Sequence, residues 1–355
     1  MSLSDFSQLR GLNGPVLITG HTGFKGTWLT YLLSALDIPC FGASLLPEPD
    51  SMFARLKRTG KIPEKFVDIR NRQEVFELIQ EIKPTVIIHM AAQPLVLESY
   101  KSPVETFDTN VMGTAHVLEA AFKVKSVQVI GVVTTDKVYL NDNSGLPFSE
   151  NSPLGGKDPY SASKAATEQV VNAWRSISSG SVGPSVISMR AGNVIGGGDF
   201  AENRLLPDLV RAYLQNTELV IRNPNSTRPW QHVLDPLFGY LLYIESVLNG
   251  CSQESMNFGP QDESLSVTEV VKIFKNRVPA LKVHFELSGP DQQESKLLEI
   301  SSDLARNVLG WKSKFSQESA IESTLEWWRS TSNLTSLNEI TKKTVNDFLK
   351  EAPRN

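Results

Sequence analysis

Three shortages frame this chain of 355 residues. It has only two cysteines, Cys40 and Cys251, too few for a disulfide framework and without metal-ligand spacing. Buried free thiols in a reducing compartment are expected, and no metal site. Excess positive charge is lacking too, since the net charge is −4 with no long block of one sign. That excludes a basic field for nucleic acid or an anionic membrane, so an anionic ligand must be met by a local pocket. Long apolar runs are also missing. No stretch approaches the roughly 20 residues that span a bilayer, and "MSLSDFSQLRGLNG" has no apolar core of signal-peptide length. A cytoplasmic location is the expectation. There is no internal repeat or low-complexity tract, and the end of the chain reads as a polar helix.

What is present is an alternation of short β-branched runs with longer helical ones. The strand candidates are "PVLITG", "PCFGAS", "KFVDI", "TVIIHM", "VQVIGVVT" and "SVISMR"; the main helices are expected near 24–36, 74–82, 103–123 and 159–177. The runs are apolar almost throughout, as parallel strands buried on both faces are. The pattern predicts an α/β fold, a Rossmann-type doubly wound parallel sheet. After Arg190 the rhythm breaks into Gly- and Asn-rich loops with isolated strands such as "ELVIR" and "KVHFEL", read as a smaller, interwoven substrate-binding region. The expected division is 1–190 with returning segments near 228–262 for the dinucleotide domain, 191–227 and 263–330 for the substrate region, and 331–355 for the final helix.

The stretch "TGHTGFKG" sets Gly20, Gly23 and Gly26 between the first strand and a helix, with Thr22, Phe24 and Lys25 in the same loop. In that context glycines let a backbone approach a pyrophosphate, and the helix start offers unpaired N–H groups and a positive dipole end. An acid often closes the second strand of a dinucleotide site, but here Ser44 stands there, so charge does not decide between NAD and NADP. Asp68 and Ile69, after the third strand, could border the adenine.

"YSASK" places Tyr160 and Lys164 one helical turn apart, at the start of the helix that follows the fifth strand, while "TTD" ends that strand. In an open α/β sheet the ligand crevice lies beyond the carboxyl ends of the strands, so both elements deliver side chains to one place. Nearby positive charge from Lys164 and an oxidised nicotinamide is expected to lower the Tyr160 pKa and make the phenol a usable base. Strand alternation would turn Asp136 away from Thr135 and Lys137, so a shared site requires the chain to bend there.

These residues carry a resemblance. Through "TGHTGFKG", "HMAAQPLV", "TNVMGT", "TTDKVY", "DPYSASKAA", "RAGNVIGGGD", "RLLPD" and "RPWQHVLDPLFGYL" the chain resembles the extended short-chain dehydrogenase/reductases, in their NAD-dependent epimerase/dehydratase group that modifies sugar nucleotides. Members acting on dTDP-glucose carry Thr-Asp-Glu where this chain has Thr135, Asp136 and Lys137, and lysine there resembles the CDP-sugar branch. The resemblance implies bound NAD and a redox-neutral 4,6-dehydration of CDP-glucose to CDP-4-keto-6-deoxyglucose. In it Tyr160, with Lys164, takes the O4 proton, Thr135 holds O4, and Asp136 donates to the departing C6 hydroxyl. Lys137 is either a neutral base at C5 or a fixed charge on the enolate, the second being favoured.

Further cofactor contacts are implied at Ala91, Ala92, Gln93, Asn110 and Thr134. Substrate contacts are implied at Gln93, Asn193, Arg204, Leu206, Arg222 and Arg228, whereas Trp230 and His232 are either site residues or core packing. The region "GNVIGGGD" with "STRPWQHV" is read as an anion site, with Arg228 gripping a pyrophosphate. Leu97 and Glu98, and later Gln292, Gln293 and Glu294, depart from the family's pattern and bear on which sugar or nucleotide is used. A homodimer through helices 103–123 and 159–177 is expected, with a tetramer as the larger alternative. Competing readings are a C4 epimerase, a dehydratase for another nucleotide, and a non-catalytic NAD sensor, the last disfavoured by the intact Thr135, Asp136, Tyr160 and Lys164 set.

Overall fold

The computed structural model describes residues 5–141, 145–179, 183–221, 223–286, 299–330 and 334–351. Six strands lie where the apolar runs predict them: β1 (Val16–Thr19), β2 (Cys40–Ser44), β3 (Glu64–Phe66), β4 (Val86–His89), β5 (Val129–Val133) and β6 (Ser185–Ala191). A seventh, Ser255–Phe258, pairs with β6 from far along the chain. The order is Ser255–Phe258, β6, β5, β4, β1, β2, β3, and every neighbouring pair is parallel. The direction of winding reverses between β1 and β4, which opens the crevice at their carboxyl ends.

Alternate side chains of each strand feed two cores. Leu17, Ile87, Ile130 and Val186 meet Val75, Leu78, Val117 and Val171 of helices Arg72–Ile82, Gly113–Lys123 and Pro159–Ser179. On the opposite face Val16, Ile18, Ile88 and Met189 meet Trp28, Leu32 and Leu241 of helices Phe24–Ala35 and Leu234–Leu248. With both faces covered, strands need no polar alternation, which is why the runs read as continuously apolar.

Four features differ from the sequence-based expectation. Ser255–Phe258 escapes notice because it is short and holds a wholly buried Asn257, whose amide is satisfied by Tyr139 Oη at 2.7 Å and the Phe148 carbonyl at 3.1 Å. The helix expected over 103–123 is interrupted by a π-helical turn, Asp108–Met112, between Pro103–Phe107 and Gly113–Lys123. The final helix, Leu334–Lys350, is amphipathic rather than polar all round: Leu337, Val345 and Phe348 enter the main core, and Tyr31 Oη donates to Asn338 Oδ1 at 2.6 Å.

The glycines of "NVIGGGD" form the fourth, since close packing requires them. A Cβ at Gly197 would lie 1.9 Å from the Trp327 ring, one at Gly196 3.3 Å from the Phe24 ring, and Gly198 has φ +85° against Met52. Trp28 Nε1 donates to the Gly197 carbonyl at 3.0 Å, so this strip lies directly on the helix that follows the glycine loop. Trp327 is itself packed against Phe200 and Trp328 and has nowhere to retreat. Gly197→Ala should therefore cost about 1–3 kcal/mol of stability by overpacking; an unaltered thermal midpoint would refute this account.

Candidate active site

The glycine loop is built by backbone contact. Gly20 adopts φ +78°, and a Cβ there would stand 2.8 Å from the Ala91 nitrogen, so the loops after β1 and β4 touch through bare main chain. Gly26 is equally closed, with a Cβ falling 2.2 Å from the Gly20 carbonyl oxygen. Gly23 is the N-cap of helix Phe24–Ala35, whose first turn points its amides into the crevice. Thr19 Oγ1 fixes the neighbouring loop by accepting from Met90 and Ala91 N–H at 3.1 and 3.2 Å. Behind it the His89 ring bridges Thr19 at 2.7 Å and Thr114 at 3.0 Å. Burial, with the charge of Lys164, pushes His89 down to about 3, so this bridge is a neutral imidazole.

Asn110, in the π-helical turn, ties three segments together. Its Oδ1 accepts from Gln93 N at 2.8 Å, its Nδ2 donates to Ser163 Oγ at 2.9 Å, and its carbonyl accepts from Thr114 and Thr167 hydroxyls. The π turn frees that carbonyl for side-chain donors, in keeping with such turns at functional sites. Gln93 spends its own side chain on Leu95 in its loop and on Thr106 of helix Pro103–Phe107. At the adenosine end, Thr22 Oγ1 meets Ser44 Oγ at 2.7 Å, a hydroxyl pair where an acid often stands. Asp68 chelates the Arg70 guanidinium, Ile69 is buried against Gly113, and Ala92 is half-buried.

The chain bends after β5 as the chemistry demands. Thr135 is extended, and Asp136–Val138 form a 3₁₀ turn, so Thr135 Oγ1 donates to Asp136 Oδ1 at 2.9 Å instead of facing away from it. Asp136 is 1% exposed, and its Oδ2 has no hydrogen-bond partner among the described residues. That oxygen lies 3.1 Å from where a Cβ on Gly192 would sit, so the glycine of "RAGN" admits the carboxylate. Lys137 follows half-buried in the same turn. Tyr160 hydrogen-bonds Thr135 through its phenol, and its backbone N–H donates to Ser99 Oγ at 3.1 Å. Lys164 Nζ donates to the Val133 carbonyl at 3.2 Å, directly below the turn. The structure thus brings Thr135, Asp136, Tyr160 and Lys164 to one place, and adds Lys25, whose ammonium reaches Tyr240 Oη at 3.3 Å and feels the charges of Lys164, Arg204 and Asp136.

The outer residues divide. Arg204 pairs with Asp199 at 2.9 Å and its charge acts on Tyr160 and Lys25, which sets it near the reacting centre. Asn193 is half-buried beside Gly192, and its carbonyl accepts from Gln231 N at 3.3 Å. Arg228 donates to the Thr227 carbonyl at 2.7 Å, and Trp230 Nε1 donates to the Leu265 carbonyl. Leu206 is a core side chain. His232 is too: fully buried, it stacks on Phe315 at 4.2 Å and meets Trp28 edge-on, and burial pushes it down to about 3. Arg222 and the stretch Gln292 to Glu294 lie outside the described residues. Thr134 turns away from the crevice and donates to Glu168 Oε1 at 2.5 Å.

Sequence reasoning passed over Glu168 and Arg190. The signals were present: Glu168 lies one helical turn beyond Lys164, and Arg190 is a lone charge at the end of an otherwise buried strand.

Tyr160 departs from the expected lowering. Burial pushes the phenol up to about 12; the Thr135 hydrogen bond opposes this and the Asp136 charge reinforces it. A positively charged ring against the phenol is then what would bring it into a usable range. Burial likewise pulls Lys25 and Lys164 down to about 8. Because the unfolded chain holds these protons more tightly, their burial costs stability below pH 8 and that cost is relieved as pH rises from 8 toward 10.5. Each lysine contributes up to about 3 kcal/mol to this rise. Tyr160 and Tyr139, both pushed up to about 12, begin to oppose it only above the tyrosine value of 10.0. Denaturant unfolding should accordingly show stability climbing from pH 8 to 10, with a shallower climb in Lys25→Met; equal slopes in the two proteins would contradict this assignment.

Residues 16–259 match the family model described as the NAD dependent epimerase/dehydratase family. The chain is 35% identical to a CDP-glucose 4,6-dehydratase of Salmonella typhimurium, over 96% of this chain and 97% of that protein. Among solved structures it resembles an NAD-dependent NDP-hexosamine 5,6-dehydratase of tunicamycin biosynthesis, with TM-score 0.76 and 27% identity over 90% of this chain and 98% of the other. A dTDP-glucose 4,6-dehydratase from Bacillus anthracis, solved with NAD, shares the fold at TM-score 0.75 and 23% identity, covering 92% of this chain and 99% of that one. The glycine loop, the Tyr160–Lys164 helix and the Thr135–Asp136 turn all fall within the matched span, and the chain belongs to the NAD-dependent epimerase/dehydratase family.

Proposed function

We propose that this chain is a CDP-glucose 4,6-dehydratase that converts CDP-glucose to CDP-4-keto-6-deoxyglucose in the cytoplasm. The observation that carries the reading is the buried Asp136 carboxylate, which binds Thr135 with one oxygen and leaves the other without a partner beside the Tyr160–Thr135 pair. A simple 4-epimerase needs a base and a hydride acceptor; elimination also needs an acid for the leaving hydroxyl.

The residues fit NAD. At Gly23, the N-cap of helix Phe24–Ala35, a Cβ would meet only the Gly20 carbonyl oxygen within 4 Å, which leaves the helix start open to a pyrophosphate, and Lys25, Lys164 and Arg204 gather positive charge around it. The neutral Thr22–Ser44 pair suits a ribose with free hydroxyls. Bound NAD supplies an acceptor that takes up a hydride and later returns it, leaving the sugar dehydrated and the cofactor unchanged. Tyr160 takes the proton of the sugar O4 hydroxyl, and Thr135 holds O4 by a hydrogen bond. The resulting C4 ketone makes the C5 proton acidic. Water takes the C5 proton, Asp136 in its acid form delivers a proton from Oδ2 to the departing O6, and Lys137 supplies fixed positive charge for the enolate. Arg204 and Arg228 serve the substrate diphosphate.

The chain acts as a homodimer in this reading. Helix Pro103–Phe107 and the π turn after it expose Val104 (75%), Phe107 and Met112 around an apolar hollow also lined by Pro103 and Val111. A second copy related by a two-fold axis would cover this face. Val104→Glu with Met112→Glu should then give a monomer in light scattering, and a variant that stays dimeric would place the interface elsewhere.

Incubation of the purified protein with CDP-glucose and NAD is expected to give a product lighter by one water without net NADH. Asp136→Asn should slow that loss of water by about 10²–10⁴-fold. Unchanged mass across a panel of nucleoside diphosphate hexoses would defeat the dehydratase reading, and a C4 epimer of unchanged mass would select the epimerase.

A further inference from the structure

Below the active site lies a buried charge pair that the reaction does not use directly. Glu168 is fully buried and Arg190 is 3% exposed. The Arg190 guanidinium grips the carboxylate from two sides, Nε to Oε1 at 2.9 Å and Nη2 to Oε2 at 2.7 Å. Each partner then reaches one end of the Thr135–Asp136–Lys137 turn. Glu168 Oε1 accepts from the hydroxyl of Thr134, the residue before it. Arg190 Nη1 donates to the hydroxyl of Tyr139 at 2.9 Å, just past its end, and its guanidinium also lies 5.3 Å from the centre of the Tyr139 ring. The ends of the pair belong to other parts of the site: Glu168 shares a helix with Tyr160 and Lys164, and Arg190 stands two residues before Gly192, against which Asp136 rests.

We propose that the Glu168–Arg190 pair is a positioning clamp that holds the catalytic turn at Thr134 and Tyr139, and so fixes Asp136 relative to Tyr160. A buried pair of this kind is a poor source of stability compared with apolar packing, so its presence directly beneath a catalytic turn is better explained by geometry than by stability. Its remaining hydrogen-bonding capacity is taken up as well. Ser188 Oγ donates to Glu168 Oε2 at 2.8 Å, Arg190 Nη1 also donates to the Glu150 carbonyl, and Tyr139 Oη donates to Asn257 Oδ1. Burial pushes the Glu168 carboxyl up, but the Arg190 hydrogen bonds and charge, with Thr134 and Ser188, outweigh it and hold Glu168 below the usual range. The clamp is therefore charged whenever the protein is folded near neutrality. Among the described residues Asp136 and Lys137 have no comparable tether to the sheet, so the clamp acts on them through the backbone of the turn.

The catalytic half of this proposal rests on the dehydratase reading; the mechanical half does not. Tyr139→Phe and Thr134→Val each release one end while leaving the ion pair intact. Hydrogen exchange should show the amides of residues 135–140 opening about tenfold faster or more in each variant, with the central strands unaffected. In turnover with CDP-glucose, kcat should fall about tenfold or more while KM stays within about twofold. Tyr139→Phe should in addition accumulate NADH transiently, because oxidation by the Tyr160–Thr135 pair continues while elimination at Asp136 lags. Unchanged exchange of 135–140 in both variants overturns the clamp. Faster exchange with unaltered kcat and no NADH transient overturns its catalytic role. A wild-type protein inert toward every nucleoside diphosphate hexose sinks the dehydratase reading and with it the catalytic role, and the exchange result still decides the clamp.

Discussion

Two stretches of backbone touch where a side chain would normally intervene, and the site depends on that contact. Gly20 turns with positive φ against the Ala91 nitrogen, at the point where the sheet changes its direction of winding. Any Cβ at Gly20 would push the β1 and β4 loops apart and lift the start of helix Phe24–Ala35 off the crevice floor. Because that helix lies flush, Lys25 is carried inward to share a buried space with Lys164 and Asp136. The glycines at 196–198 extend the same economy of space, letting a second strip of chain lie against the helix from above.

Charge follows from this closeness. The chain as a whole is acidic, yet Lys25, Lys164 and Arg204 gather at the end of the sheet, where Asp136, Asp199 and Glu168 are the carboxylates that face them. Burial weakens the protonated form of both lysines, and each is held by neutral oxygen, Lys164 by the Val133 carbonyl and Lys25 by the Tyr240 hydroxyl. Two ammoniums held by neutral oxygens gain from the arrival of an anion. An acidic protein can thus bind a diphosphate firmly without attracting polyanions to its surface.

Much of this was legible in the sequence, and the reasons for the rest are physical. The apolar runs that became β1 to β6 announce a sheet buried on both faces, and the glycine spacing with Tyr160 and Lys164 locates the crevice. Ser255–Phe258 is invisible to the same reading because Asn257 and Ser255 look like a loop until Tyr139 and Phe148 satisfy the amide. His232 has the residue type of a ligand but the surroundings of a core, which only the packing of Trp28 and Phe315 around it can reveal. The helix Leu334–Lys350 reads as polar because its buried face is narrow, resting on a few residues such as Leu337, Val345 and Phe348. The Tyr160 shift runs against the expectation because desolvation of a fully enclosed phenol outweighs nearby positive charge.

The bond from Tyr31 to Asn338 joins residues 307 positions apart. It ties helix Phe24–Ala35 to helix Leu334–Lys350, so the apolar face of Phe24–Ala35 meets this neighbour only after some 300 further residues have been made. The nascent protein must hold that face against water and against other chains until that stretch emerges. Damage to helix Leu334–Lys350 would consequently be felt some 300 residues away in sequence, at the helix that leads into the cofactor crevice.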